Sequence, residues 1–106
     1  MEKKVRQGDL YDFYGELLND HQKRIFESYV FEDLSLKEIA EEEGISRQGV
    51  SDLLHRCTDT LEEYESKLHL LERFIKIRGK VDEARSHTTE DMRSIRRSLD
   101  EILELL

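Results

Sequence analysis

The sequence predicts an all-α protein built around a helix-turn-helix, and three observations carry that prediction. The 106 residues contain no proline and only 5 glycines, so few positions interrupt a helix. Apolar residues recur at steps of three and four along most of the chain, the spacing of a helix face. The stretch SLKEIAEEEGISRQGVSDLLHRC, residues 35–57, places a helix start, a turn and a second helix start in sequence. A hydrophobic fraction of 37% against 40% charged residues suits small, solvent-laced helices better than a thick sheet sandwich.

Residues 1–8 are expected to fray. Asp9 can cap a first helix with an apolar stripe at Leu10, Phe13, Tyr14, Leu17 and Leu18. Gly15 sits inside it at a cost of about 1 kcal/mol against alanine, and a close helix approach there would explain it. Asn19 begins a second helix, and Gln22 three residues on gives a capping-box pattern. Its expected buried face is Ile25, Phe26, Tyr29 and Val30. Packed under the helix-turn-helix, it completes a three-helix core.

Within the motif, Ser35 and Glu38 form a second capping box, and Leu36, Ile39 and Ala40 supply a small apolar face. Gly44 can leave the helix with positive φ. Ile45 plugs the corner, and Ser46 caps the next helix, buried through Val50, Leu53, Leu54 and Cys57. Small Ala40, turn Gly44 and apolar Val50 have the spacing that lets two helices cross steeply.

That second helix has no evident stop. Val50, Leu53, Cys57, Leu61, Tyr64, Leu68, Leu71 and Ile75 make a near-heptad seam. A continuous helix over 46–78 would run roughly 50 Å, a stripe too long for one small domain to cover. Gly79 is expected to be its C-cap or a bend, followed by a short segment with Val81 and Ala84. Ser86–Thr89 reads as a loop, a threonine capping a last amphipathic helix with Met92, Ile95, Leu99, Ile102 and Leu106 on its stripe, widened by Leu103 and Leu105. The expected organisation is one helical domain over 1–106, with a helix-turn-helix core at 7–60 and a dimerising extension at 61–106.

Net charge is −8, acidic for a protein that lives on phosphate backbones. Residues 1–72 hold 9 Lys/Arg against 18 Asp/Glu, whereas residues 73–97 carry a net +4. The basic run Arg73, Lys76, Arg78 and Lys80, and with it Arg93, Arg96 and Arg97, could touch nucleic acid or an acidic partner but reads more simply as a solubilising rim to an apolar seam. No apolar run reaches the ~20 residues of a membrane span, and MEKKVRQGD lacks the apolar stretch of a signal peptide. A single cysteine excludes an internal disulfide and fits a cytoplasmic protein.

The outward face of the second motif helix carries Arg47, Gln48, Ser51, Asp52, His55 and Arg56. Arginine can read guanine bidentately, glutamine can read adenine, and a serine hydroxyl can reach a base or phosphate. Gly49 would let a backbone approach closely. Against this, residues 35–60 hold three basic and six acidic side chains, a poor supply of phosphate neutralisation. His55 and Cys57 lie two apart, on different sides of a helix, and no further Cys or near His completes a zinc set. No metal, cofactor or catalytic activity is expected: a phosphate loop, a Gly-rich cofactor turn and a nucleophile motif are all absent from the sequence.

The stretch LSLKEIAEEEGISRQGVSDLLHR, preceded by LNDHQKRIFESYVFEDL, resembles the promoter-reading fourth region of bacterial σ factors. Over residues 13–74, FYGELLNDHQKRIFESYVFEDLSLKEIAEEEGISRQGVSDLLHRCTDTLEEYESKLHLLERF is similar to the YlxM family of small bacterial proteins. The resemblance implies a σ region 4-like, all-helical, dimeric, cytoplasmic protein that binds double-stranded DNA. By motif position, Ser46, Arg47, Gln48, Ser51, His55 and Arg56 match its base- and phosphate-contacting face. It also implies a link to the signal recognition particle pathway. The competing expectation is therefore an adaptor acting on the particle, its receptor or their RNA, with the helix-turn-helix kept as scaffold.

Overall fold

The computed structural model describes residues 3–86 and 92–106. Six α-helices lie among the described residues: α1 (Lys3–Tyr14), α2 (Asp20–Val30), α3 (Leu36–Glu43), α4 (Arg47–Leu68), α5 (Leu70–Ser86) and α6 (Met92–Leu105). A 3-10 turn at Gly15–Leu17 joins α1 to α2, and no strand occurs among the described residues. The chain divides into two compact units, Met1–Leu68 and His69–Leu106.

The core of the first unit is drawn from four helices. Leu10 and Tyr14 of α1, Ile25 and Phe26 of α2, Ile39 of α3, and Val50, Cys57 and Leu61 of α4 are almost wholly buried. The three-helix core expected from the sequence is thus extended by α1. Residues 3–8 are helical rather than frayed, and Gln7 and Gly8 are buried. Polar bonds to α4 hold this end: Arg6 makes a two-pronged ion pair with Glu62 at 2.8 and 2.9 Å, and Gln7 Nε2 donates to Thr58 Oγ1 at 3.0 Å. One turn further on, the Tyr14 hydroxyl donates to the buried Glu65 carboxylate at 2.6 Å. Phe13 and Leu17, placed on the apolar stripe by spacing, are exposed, and Leu17 lies in the 3-10 turn rather than in α1. A Cβ on Gly15 would stand 2.8 Å from the Tyr11 ring, so the close approach there is by a side chain and not by another helix.

Both capping boxes form. Asn19 accepts from the Gln22 N–H while Gln22 accepts from the Asn19 N–H, and Ser35 and Glu38 repeat the pattern. Between α2 and α3 the chain passes through Asp33 at φ 57°, a conformation that a short polar side chain tolerates, and Lys4 anchors this residue at 2.6 Å.

The long helix over 46–78 does not form. α4 stops at Leu68, His69 adopts φ 57°, and α5 begins at Leu70. Histidine is among the non-glycine residues enriched in that left-handed region. Its Nδ1 lies 3.1 Å from a Glu72 carboxylate oxygen, and its carbonyl accepts from the Arg73 N–H. The near-heptad seam is broken at the same place: Leu68 and Ile75 are exposed, while Leu71 is buried in the second unit. Gly79, expected to end or bend the helix, lies inside α5. Ser86, expected as the first residue of a loop, is instead the last residue of α5, and the rest of that loop with its threonine cap lies outside the described residues.

In the second unit α5 and α6 pack on each other, tied by a Lys80–Glu101 ion pair. Leu71 and Ser98 are its buried residues among those described. Ile95, Ile102 and Leu105 are half-buried, whereas Phe74, Ile75, Val81, Met92, Leu99, Leu103 and Leu106 remain exposed.

Candidate nucleic-acid interface

The site begins with the turn between α3 and α4. Gly44 adopts φ 69°, and the Ala40 carbonyl accepts from both the Gly44 and Ile45 N–H groups. A side chain at Gly44 would meet no neighbour but would be strained by that backbone angle. Ser46 Oγ then accepts from the Gly49 N–H at 2.9 Å, fixing the start of α4. A Cβ on Gly49 would lie 3.1 Å from that oxygen. Gly49 therefore makes room for the cap, a contact inside the motif, where the sequence suggested room for an approaching backbone. Arg24 of α2 grips Glu43 at 2.7 and 2.9 Å, holding the last residue of α3 and lowering the Glu43 pKa below the usual carboxylate value.

On α4, Arg47, Gln48, Asp52, His55 and Arg56 are exposed and Ser51 is half-buried. Ser46 is exposed too, but its oxygen already serves the cap. Gln48 Nε2 donates to Asp52 Oδ1 at 2.9 Å, so the glutamine expected from the sequence to read a base is held by the acid one turn on. Arg47 borders a shallow groove with Lys37, Glu41, Gly44 and Ile45. Ser51 and His55 instead border a cleft shared with α1. Among the described residues, Arg47 and Arg56 enter no ion pair.

The remaining sequence candidates take other roles. Cys57 is fully buried, and burial pushes its thiol up to about 11. His55 is exposed where Cys57 is buried, and among the described residues no group of three or more His, Cys, Asp or Glu side chains is placed to hold a metal. In the basic run, Lys76 pairs with Glu72, and Lys80 pairs with Glu83 and Glu101. Among the described residues, no helix is long and apolar enough to cross a membrane. Spacing alone did not reveal the α1 side chains Lys3 and Gln7 beside the α4 face, because they reach it only through tertiary packing.

Two capped helices crossing at a left-handed glycine, with a polar outer face on the second, define a helix-turn-helix protein. The family model described as UPF0122, "Putative helix-turn-helix protein, YlxM / p13 like", matches residues 1–102. The chain belongs to this family. A UPF0122 protein of Thermoanaerobacter sp. (strain X514) is 53% identical over 73 residues, which is 69% of this chain and 62% of the relative. The chain thus spans 62% of the length of that relative. A UPF0122 protein of Shouchella clausii is 43% identical over 91 residues, 86% of this chain and 84% of the relative. One of Halalkalibacterium halodurans is 41% identical over 105 residues, 94% and 96% of the two chains.

Proposed function

We propose that this chain is a homodimeric DNA-binding regulator whose α4 enters the major groove. The observation that carries the reading is the pair of exposed guanidinium groups, Arg47 and Arg56, which enter no ion pair among the described residues, in a stretch (residues 35–60) with three basic and six acidic side chains. Lys4, Arg6, Lys23, Arg24 and Lys67 of the first unit are matched by carboxylates, whereas Lys3 and Lys37, like the two arginines, enter no ion pair among the described residues. Nine positions are two and a half helical turns, so the two guanidinium groups leave opposite flanks of α4 and suit one base edge and one phosphate of the groove wall. The exposed apolar faces of α5 and α6 support dimerisation, because a two-helix hairpin leaves such residues in water unless a second copy covers them. A two-fold protein would then read a site with matching half-sites.

The check is titration of DNA from upstream of the chain's own gene, followed by fluorescence anisotropy, with Arg47→Ala plus Arg56→Ala as comparison. Loss of two such contacts is expected to weaken binding at least about tenfold, since one good bidentate pair is worth ~1–3 kcal/mol. An unchanged affinity removes this face as the reader.

A second reading is favoured by charge: 18 acidic against 9 basic residues over 1–72 suit a basic protein partner. In that reading the chain is an adaptor on the signal recognition particle or its receptor. Pull-down with the purified components is its test, and recovery of no complex counts against it.

A further inference from the structure

A cleft of about 210 Å³ opens between the start of α1, the end of α2 and the outer flank of α4. Lys3, Tyr29, Ser51, His55 and Thr58 line it, and buried Gln7 forms its deep side. In a chain with 25 acidic residues, no carboxylate lines this cleft among the described residues. Lys3 is exposed and enters no ion pair among the described residues. Lys4 also approaches, 4.4 Å from the centre of the Tyr29 ring, but its charge is met by Asp33.

Gln7 supplies the independent observation. It is 4% exposed, and its Oε1 is buried without a hydrogen-bond partner, while Nε2 is bonded to Thr58. Buried polar groups are nearly always paired, so an orphan calls for an occupant. The Thr58 hydroxyl can accept from Nε2 or donate to Oε1. As placed, the unpaired atom is the acceptor Oε1; interchanging the two ends of the amide keeps the Thr58 bond and leaves an N–H as the unpaired group instead. The ammonium of Lys3, the hydroxyl of Ser51 and a ring N–H of His55 are donors too, and the occupant they share is an acceptor with negative charge.

We propose that this cleft binds a phosphate group, held by Lys3, Gln7, Ser51 and His55. The phosphate has two sources. It is either a backbone phosphate of a DNA strand beside α4, which rests on the reading that the α4 face meets DNA, or it belongs to a free phosphate-bearing molecule.

Two experiments on the full chain and on Lys3→Gln, an exposed substitution without a lost ion pair, separate these. In the first, affinity for duplex DNA is followed across a salt series. A DNA source predicts that Lys3→Gln lowers the log–log slope by roughly 0.9, the share of one phosphate. In the second, inorganic phosphate is titrated at constant ionic strength while the Gln7 side-chain amide and the Ser51 and His55 signals are followed by NMR. A free-phosphate source predicts saturable shifts in the full chain, at least severalfold weaker in Lys3→Gln. Saturable shifts without any DNA binding uphold the cleft and reject the DNA reading. DNA binding that depends on Arg47 and Arg56, with an unchanged Lys3→Gln slope and no saturable phosphate shift, upholds that reading and overturns the cleft. Shifts matched by chloride, together with an unchanged slope, overturn it equally.

Discussion

Asp52 governs the α4 face at the scale of single residues. It puts an exposed negative charge on the outer face, one turn before Arg56, and holds Gln48 by a 2.9 Å hydrogen bond. Replacing it with asparagine removes one repulsion toward phosphate and leaves Gln48 a neutral, more easily exchanged partner. Asp52→Asn is therefore expected to raise DNA affinity severalfold at low salt, with the gain fading as salt screens the charge. Equilibrium titrations at two salt concentrations check this, and an unchanged or weakened affinity would place Asp52 outside the contact surface. The Gln48–Asp52 bond is an i,i+4 pair, a spacing the sequence displays openly. By contrast, the half-burial of Ser51 and the place of Lys3 and Gln7 beside His55 depend on how α1 packs, which no local pattern encodes.

Among the elements, the helix-turn-helix was the most legible part, because its signals are local. Ser35, Glu38, Gly44 and Ser46 each act on backbone groups within four residues, and each does what its spacing foretold. The same locality yields a pH prediction. The Ser35 N–H, and then the Ser35 hydroxyl, lower the pKa of Glu38 below its ordinary 4.5. The stability drawn from the charged box is therefore complete above about pH 4.5 and lost as pH falls through the lower folded value. Thermal melts of Glu38→Gln, which keeps an acceptor at that position, are expected to lose this part of the acid dependence. A full-strength acid transition in that variant would contradict it. Ser35→Ala is expected to cost about 1 kcal/mol at neutral pH.

The elements the sequence misplaced are those fixed by long-range or single-residue events. α1 begins at Lys3 because Arg6 and Gln7 find partners more than fifty residues away on α4. The α4–α5 break falls at a histidine inside an unbroken apolar repeat, where Leu68 and Leu71 keep the heptad step while the backbone leaves the helix. Glycine was the better guess for such a break, yet Gly79 stays helical.

At the scale of the whole molecule, the first unit closes its core and the second does not. Leu99, Leu103 and Leu106 are 51%, 67% and 81% exposed, and Met92 is 78% exposed. If these residues meet a second copy, sedimentation at tens of micromolar shows a species of twice the 12.6 kDa chain mass. Leu99→Asp with Leu103→Asp then returns it to a single chain. A wild-type chain that sediments only at 12.6 kDa sinks the dimer. The acidity of the whole chain has its own consequence: with few cations available, specific binding must draw more on base contacts and less on counterion release than in a basic regulator.

Whether α4 reads DNA is decided by a binding titration with DNA from upstream of the chain's own gene beside random duplex, across a salt series. A reading helix gives a preference for the upstream DNA that persists as salt rises, with a log–log slope of only about 2–4 for the few cations on offer. No binding to either duplex at low salt would contradict it and leave the helix-turn-helix as a scaffold for a protein partner.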